Sequence, residues 1–367
     1  MKQQFYSLNN ILKKDAHYSV VFGERSNGKS YSVLKLMIEN WFRNNKQSAI
    51  VRRWQDDFKS KRGATMFAAH SDIVKKESNG AFDHVDYYGG RFYMACWQVM
   101  PSGERKSIRD EIPFCYGFAL SAMEHDKSTS YPDVTVICFD EFITRDSYLQ
   151  DEYMLWMHVV STLIRGRGKS QGIKIFMLGN TVNKFCPYFA EMGLYKVKEM
   201  KPGQIDVYTY GDSGLTVAVE RTGTAQKTKK ESDVYFAFNN PKLKMITQGA
   251  WEIDIYPHLN GHFRSGDILH SYFIIWEGEI LQADIIIDEK SFYTYIHRKT
   301  TEIKDPDNDI IYQLEQDKRC NYYRNLRKPI DRISQKVAMF FKNNKVFYQD
   351  NEVGEIVRNY LQWCDKN

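Results

Sequence analysis

One segment constrains the fold of this chain more than any other. Residues 23–30 are GERSNGKS, which fits the pattern GxxxxGK[ST]. The preceding residues, 17–23, form an apolar run typical of a buried strand, and residues 29–43 carry apolar side chains at helical spacing. A strand that leads through such a loop into a helix turns backbone N–H groups and the positive end of the helix towards one anion. The segment therefore predicts a phosphate-binding loop (P-loop) within an α/β fold.

The residue types in this loop predict which groups would contact a nucleotide. Lys29 is expected to reach the β- and γ-phosphates, and the hydroxyl of Ser30 is expected to bind Mg²⁺. The alternative is a glycine-rich turn with an incidental lysine, but the flanking strand and helix favour a nucleotide site. The expected nucleotide contacts are Gly23, Glu24, Arg25, Ser26, Asn27, Gly28, Lys29 and Ser30.

A second segment supplies two carboxylates. Residues 134–141, VTVICFDE, form an apolar strand that ends in an acidic pair, as a Walker B motif does. Asp140 is expected to hold Mg²⁺, and Glu141 is expected to orient and deprotonate an attacking water. The alternative is a pair of solvated acids at a strand end. The acidic pair together with the P-loop predicts hydrolysis of a nucleotide.

Further candidates come from the next helix and strand. The apolar strand 173–178 is followed by Asn180, which is expected to hold the lytic water or sense the γ-phosphate, although an ordinary turn residue would look the same. Arg165 and Arg167 flank Gly166 at the end of the helix predicted over 151–165. Either could act as an arginine finger on a neighbouring subunit, or simply place positive charge at a helix C-terminus. Lys127 is a weaker candidate for a second cation that acts in trans.

The base of the nucleotide is predicted by exclusion. Residues 183–186, NKFC, begin like the guanine-reading pattern NKxD, but Cys186 stands where that pattern needs aspartate. ATP is therefore the expected nucleotide, with Mg²⁺ as its metal.

Composition narrows the class of protein. A chain of 367 residues with 43% hydrophobic residues can form about two domains with their own cores. Residues 1–65 contain 13 Lys or Arg against 5 Asp or Glu, and residues 318–345 contain 9 against 1, so both blocks could contact a polyanion or be solvated helix faces.

The six cysteines are scattered without a CxxC pair, which predicts reduced thiols and no zinc site. No membrane segment or secretory signal is expected.

The order of apolar segments predicts the domains. Strands alternate with helices up to about residue 195, which indicates a mostly parallel sheet flanked by helices over residues 1–195. Residues 196–241 are rich in polar and turn residues and are predicted to be a linker. Strand-like segments and a basic tail over residues 242–367 predict a smaller α+β domain.

Taken in order, these motifs resemble the DNA-packaging ATPases of small tailed phages of the Salasmaviridae type. The resemblance rests on GERSNGKS, IVRRW at 50–54, KSTSYPDVTVICFDEF at 127–142, IRGRG at 164–168 and Asn180, and it covers about residues 15–190. It implies a P-loop ATPase domain of the ASCE type. It further implies a homomeric ring, pentameric in known motors, with ATP hydrolysed at subunit interfaces.

The resemblance also implies partners. The ring would move double-stranded DNA through the portal of a prohead, in the host cytoplasm, and some members of the family use a packaging RNA. The trans-finger role would fall on Arg165 or Arg167. Arg52 and Arg53 match a region suspected of DNA or interface contact, although solvation of a strand end would explain them equally well.

For the C-terminal domain, the resemblance implies a vestigial RNase H-like fold. Nuclease chemistry would need carboxylates that converge on two metal ions, and Asp254, Asp284 and Asp288 are the candidate set. The basic block over residues 318–345 would then dock on nucleic acid or on the portal, with the salt dependence of phosphate contacts.

Two other functions remain open at this point. A P-loop kinase would need an acceptor pocket and would not need Glu141. An adaptor that binds nucleic acid under the control of a nucleotide would share the basic blocks and would hydrolyse ATP unproductively or not at all.

Overall fold

A computed structural model describes most of the chain. The chain divides into two compact units, residues 1–252 and 253–367, and each is described by itself. The described residues are 6–59, 61–125, 130–145, 148–165, 172–223, 251, 254–259, 265–288, 291–315, 317–319, 321–323 and 325–364.

The first unit is built on a 10-stranded sheet. Its order is β3-β4-β6-β2-β7-β8-β1-β10-β9, and β5 pairs with β4. The run from β6 to β10 is parallel, whereas β9 and the β3-β4-β5 ribbon are antiparallel. The strands are β1 Tyr18–Gly23, β2 Gln47–Arg52, β3 His84–Tyr88, β4 Arg91–Val99, β5 Arg105–Arg109, β6 Cys115–Ala119, β7 Val134–Asp140, β8 Lys174–Asn180, β9 Ile205–Tyr210 and β10 Leu215–Arg221.

Helices flank this sheet. The helices are α1 Asn9–Leu12, α2 Lys29–Asn44, α3 Lys61–Thr65, α4 Ser71–Glu77, α5 Glu152–Ile164 and α6 Pro187–Glu191. Short 3₁₀ turns cover Gln55–Phe58, Ala68–His70, Leu120–His125, Tyr195–Glu199 and Gly211–Ser213.

Two separate apolar clusters show why the central strands are apolar throughout. One cluster holds Val33 and Met37 of α2, and the other holds Trp156 of α5 and Tyr188 of α6. A parallel strand covered on both faces needs apolar side chains in both directions. The prediction of a mostly parallel α/β sheet is therefore confirmed.

The predicted linker needs correction. Residues 205–210 and 215–221, placed in the linker 196–241, are strands of the large sheet, and β10 pairs in parallel with β1. The first compact unit accordingly runs to residue 252 and not to 195. The polar residues between these strands form the tight turn of a hairpin, and this turn is what resembles a linker in the sequence. Residues 224–241 of the predicted linker lie outside the described residues.

The second unit is a smaller α+β fold around a 6-stranded sheet of order β15-β14-β11-β12-β13-β16. Strands β11, β12 and β13 form an antiparallel meander, and the shorter strands join its edges in parallel. The elements are a 3₁₀ turn Ser265–Asp267, β11 Ile268–Trp276, β12 Glu279–Asp288, β13 Ser291–Arg298, β14 Ile311–Tyr312, β15 Tyr322–Tyr323, α7 Arg332–Lys342, β16 Val346–Tyr348 and α8 Asn351–Cys364.

Two helix features stabilise this unit. The side chain of Asp331 caps α7 by accepting hydrogen bonds from the backbone N–H groups of Ile333 and Ser334, at 2.9 and 2.8 Å. In α8, Tyr360 is fully buried and its ring meets that of Trp276 on β11. The meander is therefore covered on one face by α8.

Two sequence expectations concern membranes and thiols. Among the helices that the structure describes, none combines the length and apolar character needed to cross a membrane. The cysteines outside position 320, which is not described, are free thiols. Burial raises the pKa of Cys115 and Cys138 and so disfavours their reactive thiolate forms.

Gly354 in α8 offers a test of packing in the second unit. A Cβ at this position would overlap the ring of Tyr256, whose backbone and hydroxyl are also tied to α8 through Asn351 and Glu355. Gly354→Ala should therefore destabilise this unit by about 1–3 kcal/mol, although alanine is the better helix former. Urea unfolding of the full chain measures this. Gly266→Ala, which meets nothing within 4 Å, serves as control.

Candidate active site

The P-loop connects β1 to α2 as the sequence predicts. At two of its positions, steric constraints explain why the residue is glycine. Gly28 has a φ of 96°, a left-handed conformation that glycine adopts without strain. Gly23 lies against Thr222, and a Cβ on Gly23 would overlap the Thr222 hydroxyl. The loop therefore holds its shape because side chains are absent at both of its ends.

The predicted lysine and the predicted sensor residue meet at this loop. Lys29 is buried, and its ammonium group donates to the Glu24 carbonyl at 2.6 Å, to Asn27 Oδ1 at 3.3 Å and to Asn180 Oδ1 at 3.2 Å. Strand β8 lies beside β1 with Asn180 opposite Gly23. The pairing of these parallel strands therefore delivers Asn180 to the P-loop.

The hydroxyl and the carboxylate expected to bind metal also lie together. Ser30 Oγ donates to Asp140 Oδ1 at 2.9 Å. Both are hard oxygen ligands of the kind that Mg²⁺ takes, and Mg²⁺ commonly uses one or two protein oxygens with water and phosphate completing its shell. In the described part of the chain, no group of three or more His, Cys, Asp or Glu side chains could form a cage around a metal ion. The residues present thus fit Mg²⁺ held jointly with a nucleotide.

Arg52 joins Asp140, the last residue of β7, to Glu141, which follows it. Its guanidinium donates to Asp140 Oδ2 and lies within ion-pair distance of Glu141 Oε2, both at 2.7 Å. Burial lowers the pKa of Arg52, but the Asp140 and Glu141 carboxylates raise it by a larger amount. The pKa of Arg52 therefore lies above its ordinary value. Arg52 is therefore a permanent cation between the two predicted catalytic carboxylates.

Glu141 itself has a φ of 65°, which is uncommon for a residue with a side chain. The next residue anchors this turn, because the Phe142 N–H donates to Leu178 of β8 at 3.1 Å. Strained backbone of this kind is found most often at functional sites. The turn directs the chain out of the sheet, and 61% of the Glu141 side chain is exposed.

Arg53 has a structural role that the sequence did not indicate. It is 6% exposed and forms a bidentate ion pair with Glu152 of α5, at 2.8 and 2.9 Å. It also donates to the carbonyls of Glu141 and Phe142 at 3.2 and 2.8 Å. Burial lowers the pKa of Arg53, but the Glu152 carboxylate raises it by more, so the pKa lies above its ordinary value. Buried Arg53 thus braces the turn that carries Glu141.

The sequence predicts that Arg52 and Arg53 contact DNA or a subunit interface, or are solvated at a strand end. In the structure both guanidinium groups bind carboxylates of the protein, and Arg53 is buried, so neither is simply a solvated strand end. Sequence could not separate the two neighbours, because side chains that alternate along a strand point to opposite faces, and which face leads to the site depends on the sheet.

The P-loop, Glu141 and Asn180 line one cavity of about 540 Å³, whereas Arg52 and Asp140 are not among its lining residues. Arg145 lines it but was not predicted, and its guanidinium donates to the Val182 carbonyl at 3.0 Å. Arg145 lies on an irregular segment after β7, where no periodic pattern marks it. The lining residues are Arg25, Ser26, Asn27, Gly28, Lys29, Ser30, Tyr31, Arg53, Glu141, Ile143, Thr144, Arg145, Asn180 and Val182.

The candidate trans-acting cations lie apart from this cavity or outside the description. Arg165 follows the last residue of α5, is exposed, and is not among the cavity's lining residues. Arg167 and Lys127 lie outside the described residues. Asn183, the first residue of the incomplete guanine-reading pattern, is buried and accepts a hydrogen bond from the Phe185 N–H at 2.9 Å, so it stabilises a turn.

Two of the three carboxylates considered for a nuclease site have local partners. Asp284 is buried and accepts hydrogen bonds from Ser271, Gln282 and His297, at 2.6, 2.9 and 3.1 Å. Asp254 lies 4.0 Å from Arg358. The side chain of Asp288 is outside the description. Asp284 is thus tied to neighbouring strands of its own sheet.

The C-terminal basic block is largely exposed where it is described. Arg319 is an exception, because it pairs with Asp317 and Asp307 at 2.8 and 3.6 Å. Beyond it, the exposed basic residues are Arg327, Lys328, Arg332, Lys336, Lys342 and Lys345. This arrangement agrees equally with a polyanion-binding surface and with a solvated helix face.

The sheet, the loop after β1 and the acidic end of β7 place the fold in the P-loop NTPase class. The family model of the Podovirus DNA encapsidation protein (Gp16) matches residues 1–209, and the chain belongs to this family.

Individual relatives agree with this assignment. The DNA packaging protein of Bacillus phage B103 is 30% identical over 187 residues, which are 50% of this chain and 50% of that protein. The chain thus spans about half the length of the curated relatives it matches. Two solved structures share the fold at 18% identity: the Phi-28 gp11 DNA packaging motor (TM-score 0.52, 99% of this chain and 97% of that chain) and the bacteriophage Phi-29 viral genome packaging motor assembly (TM-score 0.53, 99% of each).

The buried Arg53–Glu152 pair can be tested by its effect on stability. Arg53→Met leaves the Glu152 carboxylate buried without its cation and should lower the free energy of unfolding by about 3–5 kcal/mol. Chemical denaturation measures this loss. The control is Arg43→Met, which removes an exposed ion pair with Glu39 and Glu77 and should cost about 1 kcal/mol or less. Equal losses from the two variants would contradict the structural role of Arg53.

Proposed function

We propose that this protein is the ATPase of a phage DNA-packaging motor, which couples hydrolysis of ATP to the movement of double-stranded DNA into a prohead. The observation that carries the proposal is the convergence of Lys29, Ser30, Asp140, Glu141 and Asn180 at the carboxyl edge of one parallel sheet. Membership of the encapsidation family supports the same reading. A kinase would have no need of a carboxylate at position 141.

Each residue has a role that its position supports. When ATP binds, the Lys29 ammonium leaves the oxygens of Glu24 and Asn27 and binds phosphate oxygens. The N–H groups of the loop and the N-terminus of α2 bind the remaining phosphate charge. Ser30 and Asp140 hold Mg²⁺, which neutralises developing charge on the phosphates when bound. Glu141 orients and deprotonates the attacking water, and Asn180 contacts the water or the γ-phosphate.

The ion pair with Arg52 limits when Glu141 can act. The Arg52 guanidinium lies 2.7 Å from Glu141 Oε2 and so occupies one oxygen of the proposed base. Movement of Glu141 away from Arg52 would free this oxygen to accept a hydrogen bond from the attacking water. Arg52 also contacts Asp140, so it has a carboxylate partner to retain when Glu141 leaves.

The site is proposed to be completed by a neighbouring subunit of a homomeric ring, pentameric by analogy with related motors. Exposed Arg165, or Arg167 beside it, and Lys127 would supply cations in trans. The basic block over 318–345 would dock on nucleic acid, on the portal or, in motors that have one, on a packaging RNA. With Asp284 bound within its own sheet, the second unit is proposed to be a vestigial RNase H-like domain that docks but does not cut. The motor would work in the host cytoplasm.

Substitution of the proposed base tests the chemistry. Glu141→Gln should lower kcat for ATP hydrolysis by roughly 10²–10⁴-fold while ATP still binds, because only the proton acceptor is lost. Steady-state phosphate release and equilibrium nucleotide binding measure the two effects. Glu191→Gln, an exposed acid on α6, serves as control. Normal turnover by Glu141→Gln would refute the assigned chemistry, and phosphate transfer to a small acceptor would indicate a kinase.

Mixed assemblies test whether the site is shared. Neither Glu141→Gln subunits nor Arg165→Ala/Arg167→Ala subunits should hydrolyse ATP efficiently alone. In a mixture, an intact site can receive an intact finger from its neighbour, so activity should return. Turnover of the wild type should also rise with protein concentration and with double-stranded DNA, the latter effect weakening at high salt. No recovery in the mixture, together with turnover indifferent to DNA, would argue against a ring translocase.

A further inference from the structure

We propose that Thr222 is a positioning residue for the P-loop: its hydroxyl holds Asn27, and Asn27 in turn places Lys29. This inference rests on the proposed nucleotide site and adds a specific device to it. Thr222 directly follows β10, which is the strand on the far side of β1 from β8. It is 195 residues from Asn27 in sequence, and no motif connects the two.

Thr222 is fixed from the backbone. Its N–H donates to the Phe22 carbonyl at 2.8 Å, which continues the parallel pairing of β10 with β1 up to the start of the P-loop. The side chain is buried, and its hydroxyl occupies the space where a Cβ on Gly23 would lie. The glycine at position 23 is therefore required by Thr222 as well as by the turn.

Asn27 links this fixed hydroxyl to the lysine. Its amide group donates to Thr222 Oγ1 at 2.8 Å between two buried side chains. Its Oδ1 accepts from the Lys29 backbone N–H and from the Lys29 ammonium, both at 3.3 Å. One end of the Asn27 amide is thus held by β10, and the other end faces the group expected to bind phosphate.

This arrangement does more than fill space. The two Lys29 N–H donors need the oxygen end of the Asn27 amide, which leaves its NH₂ end to donate to the Thr222 hydroxyl. If the hydroxyl were replaced by a methyl group, a buried N–H would lose its partner, and the amide would lose the contact that holds its oxygen against Lys29. The lysine would then have to be ordered when ATP binds, at a cost in affinity.

The N-terminal segment supports the same side of the loop. The Tyr6 N–H donates to the Asn27 carbonyl at 2.9 Å, and the Ser32 hydroxyl of α2 donates to the Tyr6 carbonyl at 2.6 Å. The Tyr6 hydroxyl donates to Glu220 of β10 at 2.7 Å. Asn27 is therefore held through its backbone by Tyr6 and through its side chain by Thr222.

The test replaces the hydroxyl at constant shape. Thr222→Val should weaken equilibrium binding of a fluorescent non-hydrolysable ATP analogue with Mg²⁺ by about 3- to 10-fold, the range expected for one lost buried hydrogen bond. The KM for ATP should rise by a similar factor, and kcat should change less. Thr222→Ser keeps the hydroxyl and should restore affinity. Thr216→Val removes a hydroxyl on the same strand that contacts His17, away from the loop, and should leave affinity unchanged.

A double-substitution cycle separates positioning from a general loss of structure. Asn27→Leu should also weaken binding, and adding Thr222→Val to it should have little further effect, because both act through one hydrogen bond. Independent, multiplicative effects would overturn the inference, as would wild-type affinity of a folded Thr222→Val. Should Thr222→Val not fold, Thr222→Ser and Asn27→Leu still decide, since the inference requires near-normal affinity in the first and reduced affinity in the second.

Lys29→Ala distinguishes failure of this inference from failure of the proposed function. If Lys29→Ala abolishes binding of the analogue but Thr222→Val does not weaken it, the nucleotide site stands and the positioning role falls. If Lys29→Ala binds the analogue as well as the wild type does, the nucleotide site itself is wrong, and the role of Thr222 falls with it.

Discussion

The pairing of β8 between β1 and β7 sets the geometry of the candidate site. In this register Asn180 lies opposite Gly23, and Leu178 lies opposite Asp140. The end of β8 thereby comes to Lys29, while Ser30 at the start of α2 reaches across to Asp140. A shift of one residue would turn each strand-end side chain to the other face of the sheet. The close packing of differently shaped side chains against these strands resists such a shift, so the packing of the core also determines the distances between the polar groups.

Charge balance is the second condition that the site must meet. Lys29, Arg52 and Arg53 bring three cations close to the sheet edge, and each is bound to protein oxygens. The neighbouring arginines divide the work. Arg53 donates hydrogen bonds to Glu152 and to the carbonyls of Glu141 and Phe142. These bonds keep the Glu141 turn in place. Arg52 binds Asp140 and Glu141, the carboxylates with proposed roles in binding magnesium and activating water. One cation thus serves the structure, and the other is placed to influence the chemistry.

Much of the fold and the central site could be predicted because they depend on local order in the sequence. A strand, a glycine-rich loop and a helix in succession specify the P-loop, and apolar segments ending in Asp140 or Asn180 specify parallel strand ends. The role of Arg53 could not be predicted, since it depends on where α5 places Glu152, 99 residues along the chain. β9 and β10 were mistaken for a linker because a hairpin turn and a flexible connection share the same residues. The sequence did not indicate Thr222 because the strand before it was assigned to the linker, or Arg145 because it lies on an irregular segment.

The position of β10 gives these separate observations a common meaning. The strand pairs with β1 on the side opposite β8, so the P-loop emerges between two strand ends and is contacted by both. From β8, Asn180 contacts Lys29 on the cavity side. From β10, Thr222 contacts Asn27 and closes over Gly23. Lys29 therefore has its ammonium group held by residues fixed from both neighbouring strands. Because a lysine carries four rotatable bonds, ordering it before the phosphate arrives reduces the conformational entropy that binding must overcome. The sheet thus contributes to the chemistry as well as to the fold.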